Sequence, residues 1–154
     1  MRCRVRNTTG DGVFEVATGD GPAMPERAAE VRAAFAGLAQ IRRLTGDGGA
    51  PADWERRQPV RAVALALEAG GVPPSAVGAD GERVASGYRV RAADREGVVW
   101  VEWVGAAGSG AAHEEEARLR ECARVLAGVG WEALLYRGAK RRRFLEVEAA
   151  PRGS

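Results

Sequence analysis

The chain has 154 residues, of which 45% are hydrophobic and 29% charged, with a formal net charge of +2 and a pI near 8.8. That size and balance fit one folded domain that needs no metal or disulfide staple, and they exclude wholesale disorder. So weak a positive charge means that any case for nucleic-acid binding must rest on local clustering of bases rather than on the total.

No apolar run reaches the length of a membrane span, and Met1, Arg2, Cys3, Arg4, Val5 and Arg6 alternate instead of forming a charged-then-apolar leader. The expectation is a cytoplasmic protein with no membrane partner. Lys140 is the only lysine, and Arg, Ala, Gly and Val are all abundant. This is the codon signature of a GC-rich genome of bacterial type, which accounts for most of the arginines without any phosphate partner. Cys3 and Cys122 match no metal-ligand spacing, and a reducing compartment favours two free thiols.

In chain order, residues 1–6 have the alternation of a half-buried strand, and residues 7–12 are a turn cluster. Residues 13–17, with Phe14 and Val16 on one side, complete a predicted N-terminal hairpin. Pro25 and Glu26 suit the first turn of a helix in which Val31, Ala34, Phe35, Leu38, Ile41 and Leu44 recur at helical steps until Gly46. Asp53 suits the cap of a short turn. Pro59 suits the start of a helix carrying Val60, Val63, Ala64 and Leu67, which Gly70 and Gly71 end. Residues 72–86 are expected to form a loop or turn around Asp80 and Gly81 that leads into a strand. A helix-turn-helix over this stretch is disfavoured, because Gly78 and Gly81 would each cost a recognition helix about 1 kcal/mol.

Residues 87–148 form the unit around which the chain is organised, and they spell strand, strand, helix, strand, strand. Tyr88, Val90 and Ala92 share one face and Arg89 and Arg91 the other. Residues 98–104 are apolar on both sides except for Glu102, which predicts a central strand covered on both faces. In the helix, Leu119, Cys122, Leu126 and Val129 make the buried stripe, and Glu114 with Arg118 and Glu116 with Arg120 have pairing distance along the exposed face. Residues 131–137 and 143–147 then form a hairpin around Gly138, Ala139 and Lys140, with Leu145 and Val147 on one face and Phe144, Glu146 and Glu148 on the other. The predicted fold is a single α+β domain over residues 1–148. Its mostly antiparallel sheet, made of the N-terminal hairpin and the β-β-α-β-β unit, packs against two or three helices, and residues 149–154 are a frayed tail.

The chemistry-bearing residues are sparse. Gly105, Ala106, Ala107, Gly108, Ser109 and Gly110 lie between a strand and a helix, the setting of a phosphate-cradling loop. Their spacing is neither the dinucleotide fingerprint nor the Walker loop, and Glu114, Glu115 and Glu116 put negative charge where a phosphate would sit. Over residues 98–129 this loop and helix resemble the acyl-CoA loop of the GNAT acetyltransferases, and the resemblance implies a small acyltransferase. Gly105 stands where that family carries Arg or Gln. His113 is the only histidine, and Ala117 occupies the place of the second histidine of a zincin helix. Ser75, Ser86 and Ser109 lack the nucleophile-elbow pattern, and Cys122 lies on an apolar stripe. No catalytic residue, metal or cofactor is therefore assigned.

The most conspicuous polar feature is Arg137 with Lys140, Arg141, Arg142 and Arg143 at a hairpin tip, which Arg89 and Arg91 would extend if their strand lies nearby. A basic hairpin can reach the phosphates of DNA or RNA; equally, basic residues at a turn discourage sheet-to-sheet pairing. The functional expectation is a non-enzymatic nucleic-acid-binding or regulatory accessory protein. Two alternatives stand beside it: an interaction or homodimerisation module anchored by Trp100 and Trp103, and an acyltransferase-like enzyme using the loop over residues 105–110.

Overall fold

The computed structural model describes residues 14–46 and 48–151, and for Arg141 the backbone only. Helix α1 (Ala28–Thr45) is followed by the short α2 (Asp53–Arg57) and by α3 (Pro59–Ala69), whose first position is proline. Strands β1 (Ala76–Val77) and β2 (Arg83–Ala85) form a two-stranded ribbon about a turn in which Gly81 has a φ of 83°. The predicted turn is thus present, and no helix lies between residues 72 and 86.

Next come β3 (Gly87–Ala92), β4 (Val99–Val104), α4 (Ala111–Ala127), β5 (Trp131–Arg137) and β6 (Arg143–Ala149). These strands make a four-stranded sheet in the order β3-β4-β6-β5, antiparallel throughout. β6 is inserted between β4 and β5, so α4 carries the chain from an inner strand across to the far edge. The fold is α+β, and the β-β-α-β-β unit is as the residue pattern predicts.

All the packing helices lie on one side of the sheet. Leu67 and Val63 of α3 and Leu119, Cys122 and Leu126 of α4 meet Tyr88, Val90, Val99, Val101, Trp103, Leu145, Val147 and Trp131 in one core. α1 does not touch the other face of the sheet. It stacks outside α3 through a second cluster of Val31, Leu38 and Leu65. α3 is therefore covered on both sides, which is why Ala62, Val63, Ala64, Leu65, Ala66 and Leu67 are all buried and the helix lacks a polar face there.

Four expectations change. Pro25 and Glu26 do not form the first turn of α1, which starts at Ala28, and Glu26 has a φ of 58°. The predicted strand over residues 1–6 lies outside the described residues, and Phe14, Glu15, Val16 and Ala17 form no strand. They run as an extended segment whose Phe14 and Val16 lean on the α1–α3 cluster. Only single hydrogen bonds tie the stretch that follows to β3 and β1, from Val90 N–H to Thr18 O (2.8 Å) and from Val77 N–H to Gly21 O (2.9 Å). Gly19, at a φ of 104° with β3 backbone against its α-carbon, and Pro22 interrupt any ladder.

The strand over residues 98–104 is central in the sheet, but the middle of its second face is not fully covered. Val99, Val101 and Trp103 are buried on the helix side; on the other side Val98 and Val104 at the ends are buried, whereas Trp100 and Glu102 between them are half-buried on the open face. The tail also begins later than predicted: Ala149 pairs with Trp131, and Ala150 N–H donates to Gly130 O at 3.0 Å.

Candidate functional site

The arginines of the β5–β6 tip do not form a free basic cluster. Glu115, 5% exposed and just past the first turn of α4, points at the start of β6. Its Oε1 accepts the backbone N–H of Arg143 at 3.1 Å, and its Oε2 lies 3.4 Å from Nε of Arg142. The Arg143 guanidinium also bridges Glu115 (3.6 Å) and Glu116 (3.5 Å). A hydrogen bond from Arg120 and then the charge of Arg143 hold the Glu116 carboxyl below the usual carboxylate range. Arg142 and Arg143 are thus spent on fastening the hairpin to α4. Lys140, at a φ of 58°, and Arg137 stay exposed, with no ion pair among the described residues, and Arg141 belongs to the same tight turn.

Arg89 and Arg91 lie on the opposite, open face of the sheet, so they do not extend that tip. Both are anchored by Glu102: Arg89 Nε donates to its Oε1 at 2.9 Å and Arg91 Nη2 to its Oε2 at 3.1 Å. The two predicted interface tryptophans separate in the same way. Trp103 is 2% exposed and packs in the chain's own core, with the Arg118 guanidinium 5.1 Å from its ring centre. It is a residue of the chain's own core. Trp100 faces outward beside Phe144, at a ring separation of 5.5 Å.

The loop over residues 105–110 is explained by its own packing. A Cβ on Gly105 would collide with Ser86 Oγ, Ser109 Oγ and Ala111 Cβ, and Gly108 and Gly110 turn the chain at φ values of 79° and 82°. Glu115 faces the hairpin just inside the helix start, and His113 near it is exposed. Cys122 is buried between α4 and the sheet, where burial pushes its thiol up to about 12. Among the described residues, no cluster could hold a metal ion and no helix is long and apolar enough to cross a membrane.

What remains as a built surface is the open face of the four-stranded sheet. Alternation places Arg89 and Arg91 of β3, Trp100 and Glu102 of β4, Phe144, Glu146 and Glu148 of β6, and Glu132, Leu134 and Tyr136 of β5 on it. The register sets Tyr136 opposite Phe144, where the rings stack at 5.8 Å, and Leu134 opposite Glu146, itself opposite Trp100. Trp100, Phe144 and Tyr136 therefore make a diagonal aromatic row across three strands. Leu134 and Tyr136 are 47% and 44% exposed at the β5 edge. Arg95, in the β3–β4 turn, reaches over the face to Glu146 (3.6 Å) and Glu148 (4.0 Å).

Sequence reasoning places Phe144 with Glu146 and Glu148 on one face, but it misses the row. The row depends on β6 lying between β4 and β5, an order that no local pattern reveals. No protein-family model, curated protein sequence or solved structure matches this chain.

Proposed function

We propose that this chain is a non-enzymatic protein-interaction module and that the open face of its four-stranded sheet is the surface with which it works. The observation that supports this reading is the row Trp100–Phe144–Tyr136, continued by Leu134, on a face that no helix covers among the described residues. Aromatic rings rimmed by paired charge are the composition of protein interfaces, where rings supply contact area at little entropic cost and the rim stays solvated. Ile41 and Leu44 on α1 are also exposed, but neither is aromatic.

The test is a photo-crosslinking residue at position 134, compared with one at position 120 on the exposed side of α4. Discrete higher-mass adducts from position 134 alone are expected in the producing cell. Monomer only from both positions would refute the reading.

One observation favours a second reading, contact with nucleic acid: Arg137 and Lys140 remain exposed and without an ion pair among the described residues. Two to four basic groups at one corner would give weak, steeply salt-dependent binding, with a log–log slope of about −2 to −4. If Arg137→Glu/Lys140→Glu binds labelled duplex at low salt as the parent chain does, that reading fails.

A further inference from the structure

The two edges of the four-stranded sheet are finished differently. The outer side of β3 is covered by the chain itself: Tyr88 N–H donates to Pro73 O (3.0 Å), Ser75 N–H donates to Tyr88 O (3.0 Å) and Val90 N–H donates to Thr18 O (2.8 Å). β5, at the other edge, has no such cover among the described residues. Two bonds continue the β5–β6 ladder past its ends, from Gly138 N–H to Arg142 O (2.6 Å) and from Ala150 N–H to Gly130 O (3.0 Å). They show that the even-numbered residues of β5 turn their backbone groups toward β6. Trp131, Ala133, Leu135 and Arg137 therefore present N–H and C=O outward.

Folded proteins blunt such an edge with a proline, a bulge, a short strand or a cover, because an open row of backbone groups is a template for another strand. β5 has seven residues, no proline and an unbroken register with β6. Leu134 and Tyr136, both well exposed, lie along it, and its charged residues, Glu132 and Arg137, stand near its ends.

We infer that β5 pairs with β5 of a second copy, antiparallel about a two-fold axis that passes through Leu134 perpendicular to the sheet. This goes beyond the open-face reading and rests on the strand's backbone instead. With the axis at Leu134, all four outward residues find outward partners, Trp131 facing Arg137 and Ala133 facing Leu135, which gives about eight backbone hydrogen bonds. An axis at Ala133 leaves Arg137 outside the ladder, and one at Leu135 leaves Trp131 outside it. The side chains agree with the Leu134 register: Leu134 meets its own counterpart, small Ala133 lies beside Leu135, Glu132 faces Tyr136, and no charge faces a like charge. α4 packs on β4, β6 and β5 and so lies over β6. The two α4 helices then stand three strand spacings apart, about 14 Å, which exceeds the 8–10 Å of helices in contact, and they do not collide. The product is one continuous sheet with the helices of both copies on one side and both open faces on the other. An edge of this length buries less than the roughly 800 Å² per partner of a stable interface, so the dimer is reversible, with a micromolar dissociation constant.

The experiment combines sedimentation with disulfide trapping on the full chain. Analytical ultracentrifugation of the parent chain should show a concentration-dependent dimer, and Ala133→Pro should weaken it at least about 10-fold. That proline removes one outward N–H and no bond to β6, the setting in which a strand tolerates proline, and circular dichroism checks that the variant folds. For trapping, Leu134→Cys, Glu132→Cys and Tyr136→Cys are each made in a Cys3→Ser background and oxidised with diamide, which takes up the two electrons and two protons released by each new disulfide. The register sets position 134 opposite itself in a pair whose Cα atoms are about 4.5 Å apart, within disulfide reach, whereas position 132 is offset from its own counterpart by about 13 Å along the strands. Leu134→Cys should therefore cross-link alone, and Glu132→Cys and Tyr136→Cys only when mixed with each other. A parent chain that stays monomeric to about 200 μM overturns the inference. So does a folded Ala133→Pro that dimerises like the parent, or a Leu134→Cys that cross-links no faster than Glu132→Cys alone. Should Ala133→Pro fail to fold, the cysteine pattern decides by itself. Photo-adducts from position 134 that contain another protein, in a chain that sediments as a monomer, would overturn the self-pairing while leaving the interaction reading standing.

Discussion

The ion pair that locks α1 to α2 is the most exacting test of the packing. Arg42 is 5% exposed and Glu55 fully buried. Arg42 donates to Glu55 through Nε (2.8 Å) and Nη2 (2.7 Å) and to Val129 O through Nη1 (2.9 Å), while Ala52 N–H donates to Glu55 Oε2 at 2.9 Å. The pair thus holds together α1, the start of α2 and the turn after α4. Glu55→Leu removes the partner of a buried guanidinium, a change that costs about 3–5 kcal/mol in fully enclosed sites. Here Arg42 borders a hollow of about 500 Å³ lined by Ile41, Thr45 and Trp54, into which the guanidinium could turn once Glu55 is gone. The lower end, about 3 kcal/mol, is therefore expected, a large share of the roughly 5–15 kcal/mol that stabilises a domain. At this chain length it corresponds to a fall in melting temperature of about 6–12 °C. Urea unfolding followed by tryptophan fluorescence reads the loss, and Arg42→Met/Glu55→Leu should regain most of it, because an apolar pair carries no desolvation cost. A loss below about 1 kcal/mol for Glu55→Leu, or a double variant no better than the single, would show that the pair is solvated and contributes little.

Four further outcomes are expected. Tyr88 is fully buried, with its hydroxyl 2.7 Å from Ala17 O and 3.1 Å from Ala64 O, so Tyr88→Phe should cost about 1–2 kcal/mol in urea unfolding; a cost near zero would mean that the carbonyls find other donors. In a Cys3→Ser background, Cys122 should react with a disulfide reagent at neutral pH only as fast as the chain unfolds, because its thiol is pushed up to about 12 by burial first and then by Glu121. A folded-state value above the ordinary 9 means that the thiol's contribution to stability is complete below pH 9 and is lost as pH rises through about 12. Tyr88, shifted the same way by burial and then by Glu68, adds to the loss above its ordinary value of 10, so the urea midpoint should be level up to pH 9 and fall beyond it, less steeply in Cys122→Ala. Glu115→Ala should destabilise by about 1–2 kcal/mol by leaving the Arg143 N–H without its acceptor, and hydrogen exchange at that amide should accelerate; unchanged exchange would contradict the role assigned to Glu115.

The elements that were legible in the sequence are those whose period is set locally. The alternation of Tyr88 and Val90 against Arg89 and Arg91, and the stripe of Leu119, Cys122 and Leu126, each reappear as a buried face. The ion pairs Glu114–Arg118 (3.9 Å) and Glu116–Arg120 (2.8 Å) follow from helical spacing alone. The role of the hairpin arginines was hidden because their partner is remote: Glu115 lies 27 residues from Arg142 and 28 from Arg143, and only the passage of α4 beside β6 brings them together. A charge run carries no mark of which of its members are already paired. Only the middle of β4's second face was misjudged, for a similar reason, since Trp100 looks like core until Phe144 is known to lie beside it on the next strand.

Why the sheet keeps an open face follows from α3. Its segment Ala62 to Leu67 is buried on every side, so some element must cover the side turned away from the sheet. α1 had two apolar destinations of unequal worth. Against α3 it buries Val31 and Leu38 on Leu65, an exchange of apolar surface worth about 25 cal/mol per Å². Against the open sheet it would have had to strip water from Arg89, Arg91 and Glu102, a desolvation cost of several kcal/mol per ion that apolar helix residues cannot repay. The ion pairs on the sheet thus act within the chain itself: they turn its own helices away and leave that face open.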